Sequence, residues 1–201
     1  MQAKINWFGL AGGVTTIVVI IVSLFSPWWQ LTVGENLAKA NVSPLNTNFN
    51  LLGTTFTIPL IWALNVVSIL TLVASGIAMI VYSIIPTKSY SKHLLGFAYK
   101  KPLYTLLFFV IALFALTLLV QALFSFNVPL MGSTTTTLPT ALTRDITISV
   151  LLSAEFQWSF WLAAVAAGLC IAARIYHKRI TTTQKPVTTP TTTTPPTVAT
   201  T

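Results

Sequence analysis

The stretch 26-SPWWQLTV-33 follows an uncharged run of nineteen residues, 7-WFGLAGGVTTIVVIIVSLF-25. Proline disfavours helical geometry in the residue before it, so the helix predicted from about Asn6 stops at Ser26, against Pro27. Beyond it, Trp28-Trp29-Gln30-Leu31-Thr32-Val33 has the aromatic and β-branched content of a strand. Neighbouring residues of a strand point to opposite faces. One tryptophan ring is therefore expected to anchor at a membrane interface and the other to pack under an outer sheet. The junction marks where an apolar helix gives way to an extended layer, and the rest of the chain repeats this division.

Of the 201 residues, 54% are hydrophobic and 7% are charged, against about 25% charged in a soluble domain. Four apolar segments occur, at about 7–25, 59–85, 103–126 and 156–173. Roughly 17–25 apolar residues in a helix cross a hydrocarbon layer about 30 Å thick, and helices satisfy their own backbone there. The fold class expected is an all-α membrane protein. Four transmembrane helices form a bundle over 1–175, and a small extracellular β-sheet comes from the outer loops 26–58 and 127–155. The first segment has no strongly basic start and no small-residue cleavage site, so it reads as a retained helix.

Charge sets the expected orientation. Lys4, Lys88, Lys92, Lys100, Lys101, Arg174, Lys178, Arg179 and Lys185 fall on one side of these spans; Lys39, Arg144 and all three acids, Glu35, Asp145 and Glu155, fall on the other. The positive-inside rule places both termini and the 86–102 loop in the cytoplasm of a multi-pass cell-membrane protein. The net charge of +8 is mostly this asymmetry. Without aromatic interleaving it points to anionic lipid headgroups rather than nucleic acid. The tail 176–201 is rich in Thr and Pro, cannot build a core and is expected to be disordered.

Within the outer loops, 28–33, 48–58 and 145–152 read as strands, with Gly53 as a bend, while 36–48 and 132–140 read as turn and polar linker. Asn41-Val42-Ser43 is a sequon for N-glycosylation. Inside the spans there is no Asp, Glu, Lys, Arg or His, the residue types that mark ion and proton pathways. Two amides remain. Asn65 is six residues inward of Pro59 and Gln121 five inward of Phe126, each roughly 8–9 Å below the outer boundary. They are expected to hydrogen-bond across helices, an interaction averaging about 0.6 kcal/mol in such a setting.

Small residues mark expected helix-packing surfaces at Gly9-x-x-x-Gly13, Ala74-x-x-x-Ala78 beside Gly76, and Ala164-x-x-x-Gly168-x-x-x-Ala172. Trp7, Trp62, Trp158 and Trp161 lie near span ends, and Trp7, Trp62 and Trp161 read as interfacial anchors. No phosphate-binding loop, catalytic triad pattern or metal-ligand spacing appears, so no enzyme activity, metal or cofactor is expected. The single cysteine, Cys170, permits no intramolecular disulfide.

A tryptophan just after helix one, a long strand-rich first outer loop, a shorter second loop and cytoplasmic termini together resemble the claudin-like four-helix superfamily of claudins and peripheral myelin proteins. The resemblance rests on Trp28-Trp29 and the layout of 1–175; the first loop lacks the G-L-W motif and the paired cysteines of claudins. It implies architecture, not paracellular sealing. The leading expectation is a non-enzymatic tetraspan protein making protein–protein contacts at the cell surface, for membrane organisation or adhesion. Its expected partners are the lipid bilayer, other membrane proteins or a second copy. The alternative is an accessory subunit of a larger transporter, respiratory or secretion complex, and the third a small-solute or ion carrier. An adhesion-type protein should expose an apolar patch on its outer loops; an accessory subunit should offer its helix-four stripe to a partner.

Overall fold

The computed structural model describes residues 5–34, 37–86, 88, 90–124, 127–138 and 148–183. The chain opens with α1 (Trp7–Phe25), followed by β1 (Trp29–Val33), β2 (Ala38–Val42), β3 (Asn48–Leu51) and β4 (Thr54–Phe56). Then come α2 (Pro59–Ile84), α3 (Ser91–Phe124), β5 (Gly132–Leu138), β6 (Ile148–Phe156) and α4 (Trp158–Thr183). All four helices are long and apolar enough to cross a membrane. The six strands form one antiparallel sheet in the order β4-β3-β2-β1-β6-β5.

At the start of α1, the Asn6 side chain accepts a hydrogen bond from Gly9 N (3.1 Å), a helix N-cap. Its amide also donates to Tyr82 Oη (3.0 Å) and to Ala173 O (3.1 Å), so one buried residue ties α1, α2 and α4 together. Farther along α1, glycines let backbones approach. A Cβ on Gly13 would stand 2.7 Å from Ile80 Cγ1 and 3.1 Å from Gly76 O. One on Gly9 would meet Ser83. On the opposite side of α1, a Cβ on Gly12 would lie 3.2 Å from Cys170 N on α4.

The α4 stripe expected at Ala164, Gly168 and Ala172 is not the one that packs. Besides Ser159 near its start, the buried residues of α4 are Ala163, Ala166, Ala167, Cys170 and Ala173, one position round the helix. Gly168 is exposed, and a Cβ there would meet nothing within 4 Å, while Ala164 and Ala172 are half-buried. Small-residue spacing alone does not say which of two neighbouring alanine rows turns inward.

The inner segment 86–102, expected as a proline-bounded loop, is instead a turn followed by helix from Ser91, so α3 runs through Pro102. Proline lacks the N–H that would bond the carbonyl four residues back, here that of Ala98. Ser75 Oγ on α2 donates to Ala98 O at 2.7 Å and fills that vacancy. The supplied hydroxyl is the physical reason the helix continues. Helix α4 likewise runs ten residues past the predicted span end at 173, so 176–183 are helical rather than tail. The Thr/Pro-rich run beyond 183, and residues 145–147 of the expected strand, lie outside the described residues.

Candidate recognition surface

The six-stranded sheet is fixed to the bundle through the tryptophan junction. Trp28 is 1% and Trp29 2% exposed, so neither ring anchors at an interface and the expected division of labour between them is corrected. Trp28 Nε1 donates to Ser23 Oγ on α1 (2.7 Å), and its ring meets Phe109 of α3 and Phe160 of α4 edge-on, at 5.1 and 6.2 Å between centroids. Trp29 Nε1 donates to Leu130 O (2.8 Å) in the approach to β5. Both rings find a hydrogen-bond acceptor, which allows a burial that an unpaired indole N–H would oppose. Trp62, Trp158 and Trp161 near the helix ends beside the sheet, and Trp7 at the opposite end of the bundle, are exposed.

Strand register divides the sheet into two faces. Trp29 pairs with Val42 and Phe156, and Leu31 with Ala40 and Ala154. This apolar face packs on the bundle with Phe109, Leu113, Ala163 and Ala166. Alternation puts Thr55, Asn50, Lys39, Thr32, Ser153 and Ser133 in one cross-strand row on the opposite face. Asn48, Asn41, Gln30 and Glu155 form a second row. The stretch 38–42, expected as part of a turn, is β2 because Lys39 and Asn41 alternate with Ala38, Ala40 and Val42. Asn48 and Asn50 repeat that pattern on β3. Polar residues spaced by two were the available signal, hidden by the turn-like composition around them.

The β3–β4 hairpin turns at Leu52-Gly53, with φ of 51° and 84°. Positive φ at both central residues is the geometry that asparagine and glycine favour; leucine meets a steric penalty there. The same leucine is 74% exposed, and Leu51 (53%), Phe56 (48%) and Leu37 are open beside it. The rings of Phe49 and Phe56 stack at 5.7 Å between centroids. The layer thus has a polar face away from the bundle and an apolar hairpin where its first edge extends past the helices.

The turn between β2 and β3 locks the layer onto α2. Thr47 Oγ1 donates to Ser43 O (2.6 Å) and Leu45 packs on Ile20 and Leu72. With its amide oriented to match donors to acceptors, Asn65 Nδ2 donates to Pro44 O (3.2 Å) and Oδ1 accepts from Thr47 N (2.9 Å). Asn65 therefore does not pair with Gln121, whose side chain lies exposed on α3. The reason is helix stagger. Gly9 faces Ser83, Gly13 faces Ile80, and Ile20 clusters with Leu72. Continued outward, that register sets Asn65 level with the exit of α1. Pro59 starts α2 about nine residues, or roughly 14 Å, beyond Phe25. Asn65 thus meets the descending loop.

Asn41 of the sequon sits within β2, donating to Asn48 Oδ1 (2.9 Å), and Ser43 is buried with its hydroxyl accepting from Leu45 N (3.2 Å). Among the described residues no three of His, Cys, Asp and Glu converge in a metal-binding group. No protein-family model and no curated protein matches the chain.

Proposed function

We propose that this chain is a tetraspan integral membrane protein, with both termini in the cytoplasm, whose outer β-layer makes non-enzymatic protein contacts at the cell surface. The supporting observation is the exposed apolar hairpin. Leu52 occupies a backbone conformation unfavourable for leucine and presents its side chain to solvent, with Leu51, Phe56 and Leu37 around it. A residue disfavoured both by its backbone and by water is what a contact surface retains. The layout adds support for a claudin-like architecture. Four strands come from the segment between α1 and α2, two from that between α3 and α4, and a tryptophan pair roots the sheet. The Cys-free first loop departs from claudins, so only architecture is carried across.

A photo-crosslinking amino acid at position 52, activated on intact cells expressing the chain, tests this reading. Adducts to protein, diminished by Phe56→Asp, are expected. Adducts to lipid alone, or none, would contradict it. The accessory-subunit reading is favoured by one feature, the open side of α4 at Gly168. A crosslinker at position 168 that captures a distinct protein, while position 52 captures none, would give that reading precedence.

A further inference from the structure

Helix α3 carries positive charge to a depth where α1 is wholly apolar. Ser75 bonds the Ala98 carbonyl, and the neighbouring Gly76 faces Gly13 of α1. Ala98 is therefore level with about residue 13 of α1, roughly 9 Å along the bundle from the start of that helix at Trp7. Tyr99 and Lys100 follow directly on α3. Across the seam, Arg174 of α4 is half-buried and holds its guanidinium against the Tyr99 ring, 4.2 Å from the centroid.

Lys92, Gly96 and Lys100 recur at every fourth residue and form one lane on α3. Gly96 neighbours Tyr99 one turn away, and a Cβ on it would meet nothing within 4 Å. An open seat thus lies over Gly96, between the stems of the two lysines and beside the Arg174 guanidinium. Long side chains of a helix lean toward its N-terminus, which turns Lys100 toward the seat. Beyond Lys100 the same lane continues as Tyr104 and Phe108, both exposed.

No carboxylate among the described residues neutralises these cations. The one acid there, Glu155, lies on the sheet at the other end of the bundle, paired with Gln30. A cation is costly in hydrocarbon, and the cost falls when headgroups and water are drawn in to meet it. An ammonium and a guanidinium together offer several N–H donors to phosphate oxygens. The apolar lane leading away from the seat requires that the phosphate arrive with hydrocarbon attached. A phosphocholine brings a further cation to a place that already holds three, whereas an anionic headgroup brings none.

We infer that the α3–α4 seam binds an anionic phospholipid, its phosphate over Gly96 among Lys92, Lys100 and Arg174 and an acyl chain along Tyr104 and Phe108. The inference uses the membrane-spanning reading of the helices, and neither the hairpin contacts nor the side on which the sheet lies. It can fail while crosslinking at position 52 succeeds, and the reverse.

Native mass spectrometry of the full chain released from detergent micelles tests it with three probes: phosphatidylglycerol, phosphatidylcholine of the same acyl chains, and glycerol 3-phosphate. Phosphatidylglycerol is expected to bind at least about fivefold more tightly than phosphatidylcholine, the factor that one basic residue contributes beside an anionic lipid surface. Glycerol 3-phosphate should leave no adduct. Lys100→Gln combined with Arg174→Gln should erase the preference for phosphatidylglycerol. Lys88→Gln, which removes a charge from the same end of the bundle outside the seam, should leave it intact. Gly96→Leu fills the seat with no change of charge and no clash at its Cβ, so it keeps the test open should the double variant unfold. It is expected to lower phosphatidylglycerol affinity to that of phosphatidylcholine. Tryptophan fluorescence from the buried Trp28 and Trp29 reports that each variant is folded. Equal affinity for the two lipids, a glycerol 3-phosphate adduct as strong as the lipid's, a preference that survives Gly96→Leu, or one lost equally in Lys88→Gln would each overturn the inference.

Discussion

Replacing Ser75 by alanine removes the hydroxyl that stands in for the N–H missing at Pro102. The Ala98 carbonyl then has neither an intrahelical donor nor an interhelical one, in a position where Ala98 is completely buried. A buried acceptor left unpaired costs about 1–3 kcal/mol, and hydrogen bonds between membrane helices average about 0.6 kcal/mol with a maximum near 1.7. The Ser75→Ala variant is therefore expected to lose about 1 kcal/mol. Pro102→Ala restores an N–H at the required position, four residues after Ala98. In that background the carbonyl is satisfied within α3, and Ser75→Ala should cost close to nothing. The expected coupling in the double-mutant cycle is about 1 kcal/mol. Reversible unfolding by sodium dodecyl sulfate in mixed micelles, followed by tryptophan fluorescence, measures all four corners of the cycle. Equal losses for Ser75→Ala with proline and with alanine at 102 would refute the argument, because the hydroxyl would then be unrelated to the missing N–H.

Three further expectations use the same assay or hydrogen exchange. Trp28→Phe should lose about 1–2 kcal/mol through the severed bond to Ser23 Oγ, while Trp62→Phe, at a site 61% exposed, should change stability little. Gly13→Ala should cost about 1–3 kcal/mol, since its Cβ meets Ile80 and the Gly76 carbonyl; Gly168→Ala, opening onto free space, should be neutral or gain up to about 1 kcal/mol in helix propensity. Leu52→Asn should slow amide exchange across 48–56 by relieving the positive-φ penalty while abolishing crosslinks made beside it, and faster exchange would count against a backbone that opposes leucine there.

The four helices were legible because an apolar run of sufficient length has few other uses, and the sheet because β-branched residues cluster in the α1–α2 and α3–α4 connections. Trp28-Trp29 was legible as a junction but not as a doubly buried one. Alternation predicts rings on opposite faces, but β1 begins only at Trp29, and both rings enter one core cluster with Ser23 and Leu130 supplying the acceptors that let them leave water. Local composition misled at 38–42, where turn-forming neighbours concealed a strand whose evidence lay in its pairing with β1. It misled again at Pro102, because the compensating hydroxyl lies 27 positions earlier on another helix. Asn65 is expected to bond across helices to Gln121, and it bonds the 43–47 turn instead. The partner could not be named without the stagger that carries α2 outward to the 43–47 turn.

The polar face of the sheet was visible only as the repeated polar spacing of Lys39, Asn41, Asn48 and Asn50. Two strands must be set in register before that spacing becomes a surface, and register is a property of the pairing rather than of either segment. Asn6 is the opposite case. An asparagine directly ahead of an apolar run is a readable cap, whereas its bonds to Tyr82 and Ala173 depend on α1, α2 and α4 meeting there.

The proposed recognition surface depends on the sheet lying outside the membrane with position 88 inside the cell. Cys170 is the one native cysteine, so a Cys170→Ser background allows single cysteines to be placed at Thr55 and at Lys88. Labelling of intact cells with a membrane-impermeant maleimide is predicted to modify position 55 at once and position 88 only after permeabilisation. Labelling of 88 with 55 protected, or of both before permeabilisation, would contradict the account.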